Sequence, residues 1–296
     1  MIRVKVPATS ANMGPGFDCL GIALNIYNYF FIEEIEGDLN ITGCDEAFRN
    51  DKNLVYTSMM KCFKKIGFAP KGISIKIECG IPISRGLGSS ATCILGGVLA
   101  ANELAGCPLS NKELLNISTS IEGHPDNITP ALFGGMTVSV ETEDGVYFDK
   151  INLSKGIKFC ALIPSFKLST LEARTVLPSD IPFNHAVFNV GRTALLISSL
   201  ISGNFDMIHI GCEDKLHQNY RSTLIENYNE ITYMCKSLGA LGVFLSGAGP
   251  TIMVILKQED NIFYKSINTY FFNKKYKWQA LELMPCLEGS TIKRLF

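Results

Sequence analysis

The chain has 296 residues, of which 47% are hydrophobic and 19% charged, and its formal net charge is −1. That length suits one large domain or two medium ones with an ordinary core. The charge balance excludes a basic footprint for nucleic acid and a cationic stripe for an anionic membrane, which leaves a small molecule as the expected partner.

The N-terminus, MIRVKVPATS, has no apolar signal region and alternates as a strand over residues 2–6. Val55, Met59, Cys62, Phe63 and Ile66 recur at helical spacing, and ISIKI (73–77) alternates as a second strand. The stretch PISRGLGSSAT (82–92) then leads into a run of small apolar residues that predicts a helix from about Ser89. SNKELLNISTSIEG (110–123) predicts another helix. Ser110 and Glu113 form a capping box, Leu114, Ile117 and Ile121 share one face, and Gly123 follows the end. IEGHPDNITPALFGG (121–135) reads as that helix's C-terminus and a turn, with an unusual density of polar groups. MTVSV (136–140) alternates as a strand, and the polar stretch 141–156 is the best candidate for a join between two halves.

Further helices are expected near 186–201, 223–238 and 259–271. The long apolar run 239–256 is broken by Gly-Ala-Gly-Pro into two strand-length halves and does not read as a membrane span. Ten scattered cysteines, without a C-x-x-C pair, read as buried thiols of a reducing compartment. A cytoplasmic location follows. Strands and helices mix without strict βαβ alternation, which predicts an α+β architecture.

The glycine-rich stretch has two readings. Glycines ahead of a helix N-terminus let backbone N–H groups approach a phosphate. They also suit a plain tight turn before a small-residue helix, and the glycines alone do not choose. A Walker A loop is excluded because no Gly-Lys dipeptide exists in the chain. The dinucleotide pattern G-x-G-x-x-A fits Gly86, Gly88 and Ala91, but the loop is set off from the preceding strand and lacks the expected acidic residue downstream. The remaining reading adds Ser89 and Ser90, two hydroxyls at a helix start that suit phosphate oxygens or Mg²⁺.

PISRGLGSSAT (82–92) resembles the nucleotide loop of the GHMP kinase superfamily, and PATSANMGPGFDCLG (7–21) and LSGAGPTIMVI (245–255) resemble that family's other signatures in the same order. The resemblance implies two domains. Residues 1–155 would form a ribosomal protein S5 domain 2-like unit carrying the ATP loop, and 156–296 a ferredoxin-like unit, with the site between them. Within the family, P-x-T-S-A-N-x-G-x-G-F-D at 7–18 is similar to the homoserine kinase branch, whereas the glycine–glutamate–histidine signature of galactokinase-like and mevalonate kinase-like openings is missing. The implied reaction is ATP-dependent phosphorylation of L-homoserine to O-phospho-L-homoserine in threonine biosynthesis, with Mg²⁺. A homodimer is left open.

The same resemblance implies the site residues. Pro82, Ile83, Ser84, Arg85, Gly86, Leu87, Gly88, Ser89, Ser90, Ala91 and Thr92 match the phosphate loop, and Asn53 the position that meets adenine. Ser90 and Glu122 match the magnesium positions, although Glu122 and His124 stand two apart where some members carry a longer loop. Homoserine offers an ammonium, a carboxylate and a hydroxyl. Asp18 and Asp126 would take the ammonium, and Arg174 and Arg221 the carboxylate through guanidinium forks. Asn12, His124, Asn127 and Gly247 would orient the rest. Asp126, Asn127 and Thr170 are the catalytic candidates, with Asp126 either a general base or a substrate ligand.

Overall fold

The computed structural model describes residues 1–295. Strands β1 (Ile2–Ala11) and β2 (Leu20–Glu34) form a long antiparallel hairpin. Next come β3 (Asn40–Thr42), α1 (Leu54–Ile66) and β4 (Ile73–Cys79). Three consecutive helices follow, α2 (Ser89–Leu104), α3 (Asn111–Glu122) and α4 (Pro125–Phe133), and then the hairpin β5 (Met136–Thr142) and β6 (Gly145–Ile151). The chain passes into β7 (Ile157–Pro164), α5 (Thr170–Thr175), α6 (Phe183–Ser202), and the short helices α7 (Ile208–Gly211) and α8 (Gln218–Arg221). It ends with α9 (Tyr228–Ser237), β8 (Gly242–Leu245), β9 (Ile252–Lys257), α10 (Phe263–Lys274), β10 (Trp278–Leu283) and β11 (Thr291–Arg294).

Two sheets result. The larger has the order β11-β1-β2-β4-β3, with β5 on β2 and β6 on β5, and is antiparallel except for the β3–β4 pair. The smaller, β10-β7-β9-β8, is wholly antiparallel. Numbered within its own unit, that order is 4-1-3-2, the arrangement of a ferredoxin-like βαββαβ unit. An α+β fold is therefore present. The dinucleotide reading of the glycine loop fails because the helix after the loop leads to no strand parallel to β4: the next strand, β5, pairs antiparallel with β2 and β6. The C-terminal strand returns to the larger sheet, where Ile2 faces Arg294 and Lys5 faces Thr291.

Three apolar clusters hold the layers together. One lies between the larger sheet and α1–α4, with Phe30, Met59 and Leu95 buried in it. A second joins the two sheets through Leu20, Ile22, Phe159 and Phe244. The third packs α9 and α10 on the outer face of the smaller sheet through Ile231, Cys235, Ile267 and Phe271. Between Ala91 and Ala101 helix α2 is small and mostly apolar on every face and almost wholly buried, and α1 lies close against it. A Cβ built on Gly97 would lie 2.3 Å from the Val55 backbone oxygen.

The capping box at Ser110–Glu113 forms as read, with Gly123 in the left-handed region at φ 95°. Several expectations shift. The first strand extends to Ala11, and β2, β6 and β10 carry no clean alternation and were not foreseen. The stretch 121–135 is more than a helix end, since α4 begins at Pro125, where the missing N–H costs no intrahelical bond. The helix expected at 223–238 begins at Tyr228, after a 3₁₀ turn at Ser222–Leu224 and a left-handed Asn227. The one expected at 259–271 runs Phe263–Lys274, because the Asp260 side chain accepts from the Ile262 and Phe263 N–H groups and sets a later start. Of the cysteines, Cys79 and Cys107 are exposed and Cys19, Cys44 and Cys93 half-buried, and all ten are free thiols. No helix among the described residues is long and apolar enough to cross a membrane.

The close approach of α1 and α2 predicts that Gly97→Ala lowers stability by about 1–3 kcal/mol through overpacking against backbone. Gly191→Ala, in α6 with open space around it, should be neutral or stabilising by up to about 1 kcal/mol. Urea unfolding midpoints of the two variants check the contrast.

Candidate functional site

A cleft of about 340 Å³ opens where the two sheets meet. Its floor is built from segment 12–18 between β1 and β2, the glycine loop ahead of α2, the α3–α4 junction, α5, α8 and the turn between β8 and β9.

The glycine loop is pinned before any ligand arrives. Thr9 N–H donates to Leu87 O (3.2 Å), Thr251 N–H to Arg85 O (3.2 Å) and Ser246 Oγ to Gly86 O (2.5 Å). The Arg85 guanidinium donates to Pro164 O (2.9 Å) and Ser165 O (2.6 Å), so its charge ties the loop to the end of β7. Gly88 has φ 69° and caps α2 without a side chain, and a Cβ there would fall 2.0 Å from Thr9 Oγ1. The first-turn N–H groups of α2 thus face the cleft without a side-chain acceptor, a ready site for phosphate oxygens. Asn127 Oδ1 sits beside this loop and accepts from Thr9 Oγ1 (2.7 Å), which leaves its amide nitrogen as a donor.

Beside the loop, Ser90 Oγ donates to Glu122 Oε2 (2.7 Å). Burial pushes the Glu122 carboxyl above its ordinary value, against that hydrogen bond and the charge of His124. Glu122 makes no ion pair among the described residues, and the charge of His124 acts on it only from beyond contact. Across α4's first turn, His124 Nδ1 lies 2.5 Å from Asp126 Oδ1. Burial draws His124 down, but the hydrogen bond to Asp126 and the charges of Asp126, Glu122 and Asp18 outweigh it, and the imidazole holds its proton more tightly than a free histidine. Asp18, His124 and Asp126 present ligand atoms within 4.8 Å of one another. This cluster already contains cations of its own, because Arg174 Nη2 lies 2.8 Å from Asp18 Oδ1.

Arg221 is 1% exposed. Its Nε donates to Ala173 O (3.1 Å) and its Nη1 to Gly247 O (3.1 Å), and the guanidinium lies 5.1 Å from the centre of the Phe17 ring. Nη2 has no hydrogen-bond partner among the described residues, and Arg221 lines the cleft. Burial, and then the charge of Arg174, lower its pKa to about 10. Asn12 donates to Gly247 O (2.9 Å) and accepts from Asp18 N–H (2.9 Å), which joins segment 12–18 to the β8–β9 turn.

The structure brings Asn12, Asp18, Arg174, Arg221 and Gly247 to one end of the cleft, with Thr170 at the start of α5 beside them. Ile83, Ser84, Gly86, Gly88, Ser89 and Ser90 line its middle. Four expected loop residues do not line it. Leu87 and Ala91 are buried in the core, Thr92 is buried and accepts from Asn28 Nδ2 (2.8 Å), and Pro82 sits behind the loop. Asn53 lines the far end, where its side chain caps α1 by accepting from Val55 N–H (2.9 Å) and donates to Phe48 O (2.8 Å). Around it lie Cys44, Phe48, Leu54, Cys79 and Cys93, an apolar, thiol-rich end that sequence reading did not single out. Phe17, Ser246 and His217 were missed as well. Each has a partner distant in sequence, Phe17 on His217, Ser246 on Gly86 and His217 on Gly14, a relation no local motif displays.

Comparisons with known proteins point to one family. The family model described as GHMP kinases N terminal domain matches residues 53–135, and that described as GHMP kinases C terminal matches 196–271. A homoserine kinase from Clostridium botulinum (strain Okra / Type B1) is 57% identical over 283 residues, 96% of this chain and 95% of that protein. A homoserine kinase from Clostridium beijerinckii is 49% identical over 293 residues, 99% of this chain and 98% of that protein. The crystal structure of homoserine kinase from Cytophaga hutchinsonii superposes with a TM-score of 0.87 at 27% identity, covering 99% of this chain and 97% of that one.

The contrast between the two cleft arginines can be measured. Arg221→Met leaves the buried Ala173 carbonyl without its side-chain donor and the Gly247 carbonyl with Asn12 alone, and should cost about 1–3 kcal/mol of stability. Arg174→Met breaks a partly exposed ion pair and should cost under about 1 kcal/mol. Chemical denaturation of both variants tests this.

Proposed function

This chain belongs to the GHMP kinase family, with its two-domain fold, and on that premise we propose that it transfers the γ-phosphoryl group of ATP to the side-chain hydroxyl of L-homoserine. The observation that carries the acceptor assignment is the opposed pair at one end of the cleft. A guanidinium edge of Arg221 and the Arg174–Asp18 ion pair stand within one pocket, next to a helix N-terminus suited to phosphate. An α-amino acid needs both signs of charge at fixed separation, and a neutral alcohol such as a sugar needs neither.

Phosphates of ATP lie along the glycine loop and the first turn of α2, and the apolar end around Phe48 and Leu54 takes the adenine, with Asn53 at its edge. Ser90 and Glu122 fit Mg²⁺, since both are hard oxygen donors and the Glu122 charge lacks an ion-pair partner among the described residues. They would hold the ion, which when bound offsets phosphate charge. Arg174 and Arg221 hold the acceptor carboxylate, Asp18 the ammonium, and Asn12 with Gly247 the wall between them.

The acceptor hydroxyl oxygen forms a bond to the γ-phosphorus as the bond to the bridging β–γ oxygen breaks, giving ADP and the phosphate ester. Asp126 orients the hydroxyl and takes its proton late. The proton on His124 Nδ1 holds this carboxylate in place, and a loose transition state in which positioning and charge offset dominate asks little of the base. The Asn127 amide and the Thr170 hydroxyl donate to the transferring phosphoryl oxygens.

Coupled ADP release measured with homoserine, serine, threonine, mevalonate and galactose should show homoserine preferred; preference for mevalonate or a sugar would overturn the acceptor assignment. Ser90→Ala and Glu122→Gln should each lower Mg²⁺-dependent turnover by at least about tenfold, and unchanged turnover per folded molecule would remove them from the metal site. Arg174→Lys and Arg221→Lys should raise the KM for homoserine about tenfold or more and leave that for ATP nearly unchanged. Steady-state kinetics with each substrate varied decides.

A further inference from the structure

The carboxylate site depends on a guanidinium that the protein must aim, and the following inference rests on the acceptor reading above. His217 is completely buried at the start of α8, one turn before Arg221. Its Nε2 lies 2.7 Å from Gly14 O and its Nδ1 lies 3.4 Å from Arg221 Nη1. A carbonyl accepts and does not donate, so Nε2 carries the proton. Nδ1 is then a lone pair, the one state of this ring that accepts from a guanidinium N–H.

The surroundings hold that arrangement. Asp214 accepts from the N–H groups of Leu216 (3.0 Å), His217 (2.9 Å) and Gln218 (2.7 Å), and from Asn189 Nδ2 (2.7 Å). Asn189 Nδ2 also reaches Pro15 O (3.1 Å), so both the Gly14 and Pro15 carbonyls are tied to this knot. The Phe17 ring packs on the imidazole at 5.1 Å and lies under both guanidiniums, and Asp18 next to it pairs with Arg174.

We propose that His217 is a positioning residue that links segment 12–18, through Gly14 O, to the guanidinium of Arg221, and so fixes the direction in which the free Nη2 edge meets the acceptor carboxylate. It touches neither substrate. Its loss therefore changes recognition of the carboxylate more than it changes ATP binding.

Three substitutions separate the two links. His217→Asn retains an amide oxygen near Nδ1 and so keeps an acceptor for Arg221. His217→Gln places its amide near Nε2, which keeps the Gly14 contact and loses the one to Arg221. His217→Phe keeps the ring packing and loses both. The readout is the ratio of kcat/KM for L-homoserine to that for 3-amino-1-propanol, which lacks the carboxylate, together with the KM for ATP. The expected result is a fall in that ratio of about tenfold for His217→Gln and His217→Phe, near-normal values for His217→Asn, and an ATP KM within about twofold in all three. A ratio unchanged in His217→Gln, or a loss shared equally by both substrates in His217→Gln and His217→Asn, would overturn the proposal and leave a structural role. If His217→Phe does not fold, the Asn and Gln pair still decides. Failure of the acceptor reading looks different, because the unsubstituted enzyme would then show no preference for homoserine over the amino alcohol.

Discussion

The structure is organised around one buried positive charge. Removing the Arg221 guanidinium from water costs about several kcal/mol, and it persists only where acceptors meet it in good geometry. Those acceptors come from far apart in the chain: Ala173 O from α5, Gly247 O from the β8–β9 turn and the imidazole of His217. Satisfying a single side chain therefore fixes the mutual placement of α5, α8 and the smaller sheet. Through Asn12, which donates to the same Gly247 carbonyl, it also fixes the β1–β2 connection of the larger sheet.

The glycine loop follows the same logic from the other side. Its carbonyls at Arg85, Gly86 and Leu87 are all bound to β1 or to the chain flanking β9. The loop thus faces its ligand with N–H groups free and carbonyls occupied, a polarity that suits an anion. Because the loop is already held, little backbone entropy remains to be lost when phosphate binds. The turn reading and the phosphate reading of GLGSSA are not alternatives. Small residues are required for the close approach of Thr9 and Ser246, and that approach is what turns the N–H groups outward.

Much of this was legible in sequence, for reasons specific to each element. The capping box of α3 and the helical spacing of α1 are local, and local chemistry sufficed. Strand β2 was missed because it is buried on both faces over Leu20–Leu24 and then changes neighbours, so it carries no clean period of two. Helix α4 was hidden by Pro125 and Pro130, which punctuate a sequence as turns do, although one occupies the first helical position. Among the site residues, the motifs identified which side chains gather at the cleft but not how each is used. Arg85 is spent on the end of β7, some eighty residues away, which sequence order does not show; Asn53 is spent on its own helix cap through Val55 and Phe48, a local relation that the adenine reading passed over.

Strand β11 carries a consequence for how the two halves depend on each other. By pairing with β1 it closes an edge that would otherwise offer a row of unpaired N–H and C=O groups flanked by the apolar Ile2, Val4 and Val6. An exposed edge of that kind is a template for pairing with another chain. The strand that protects the first half follows every strand of the smaller sheet in chain order and arrives only after that sheet has been threaded. A nascent chain that has emerged only as far as β6 therefore carries an open β1 edge, and its protection against self-association must come from elsewhere until the remaining residues are in place.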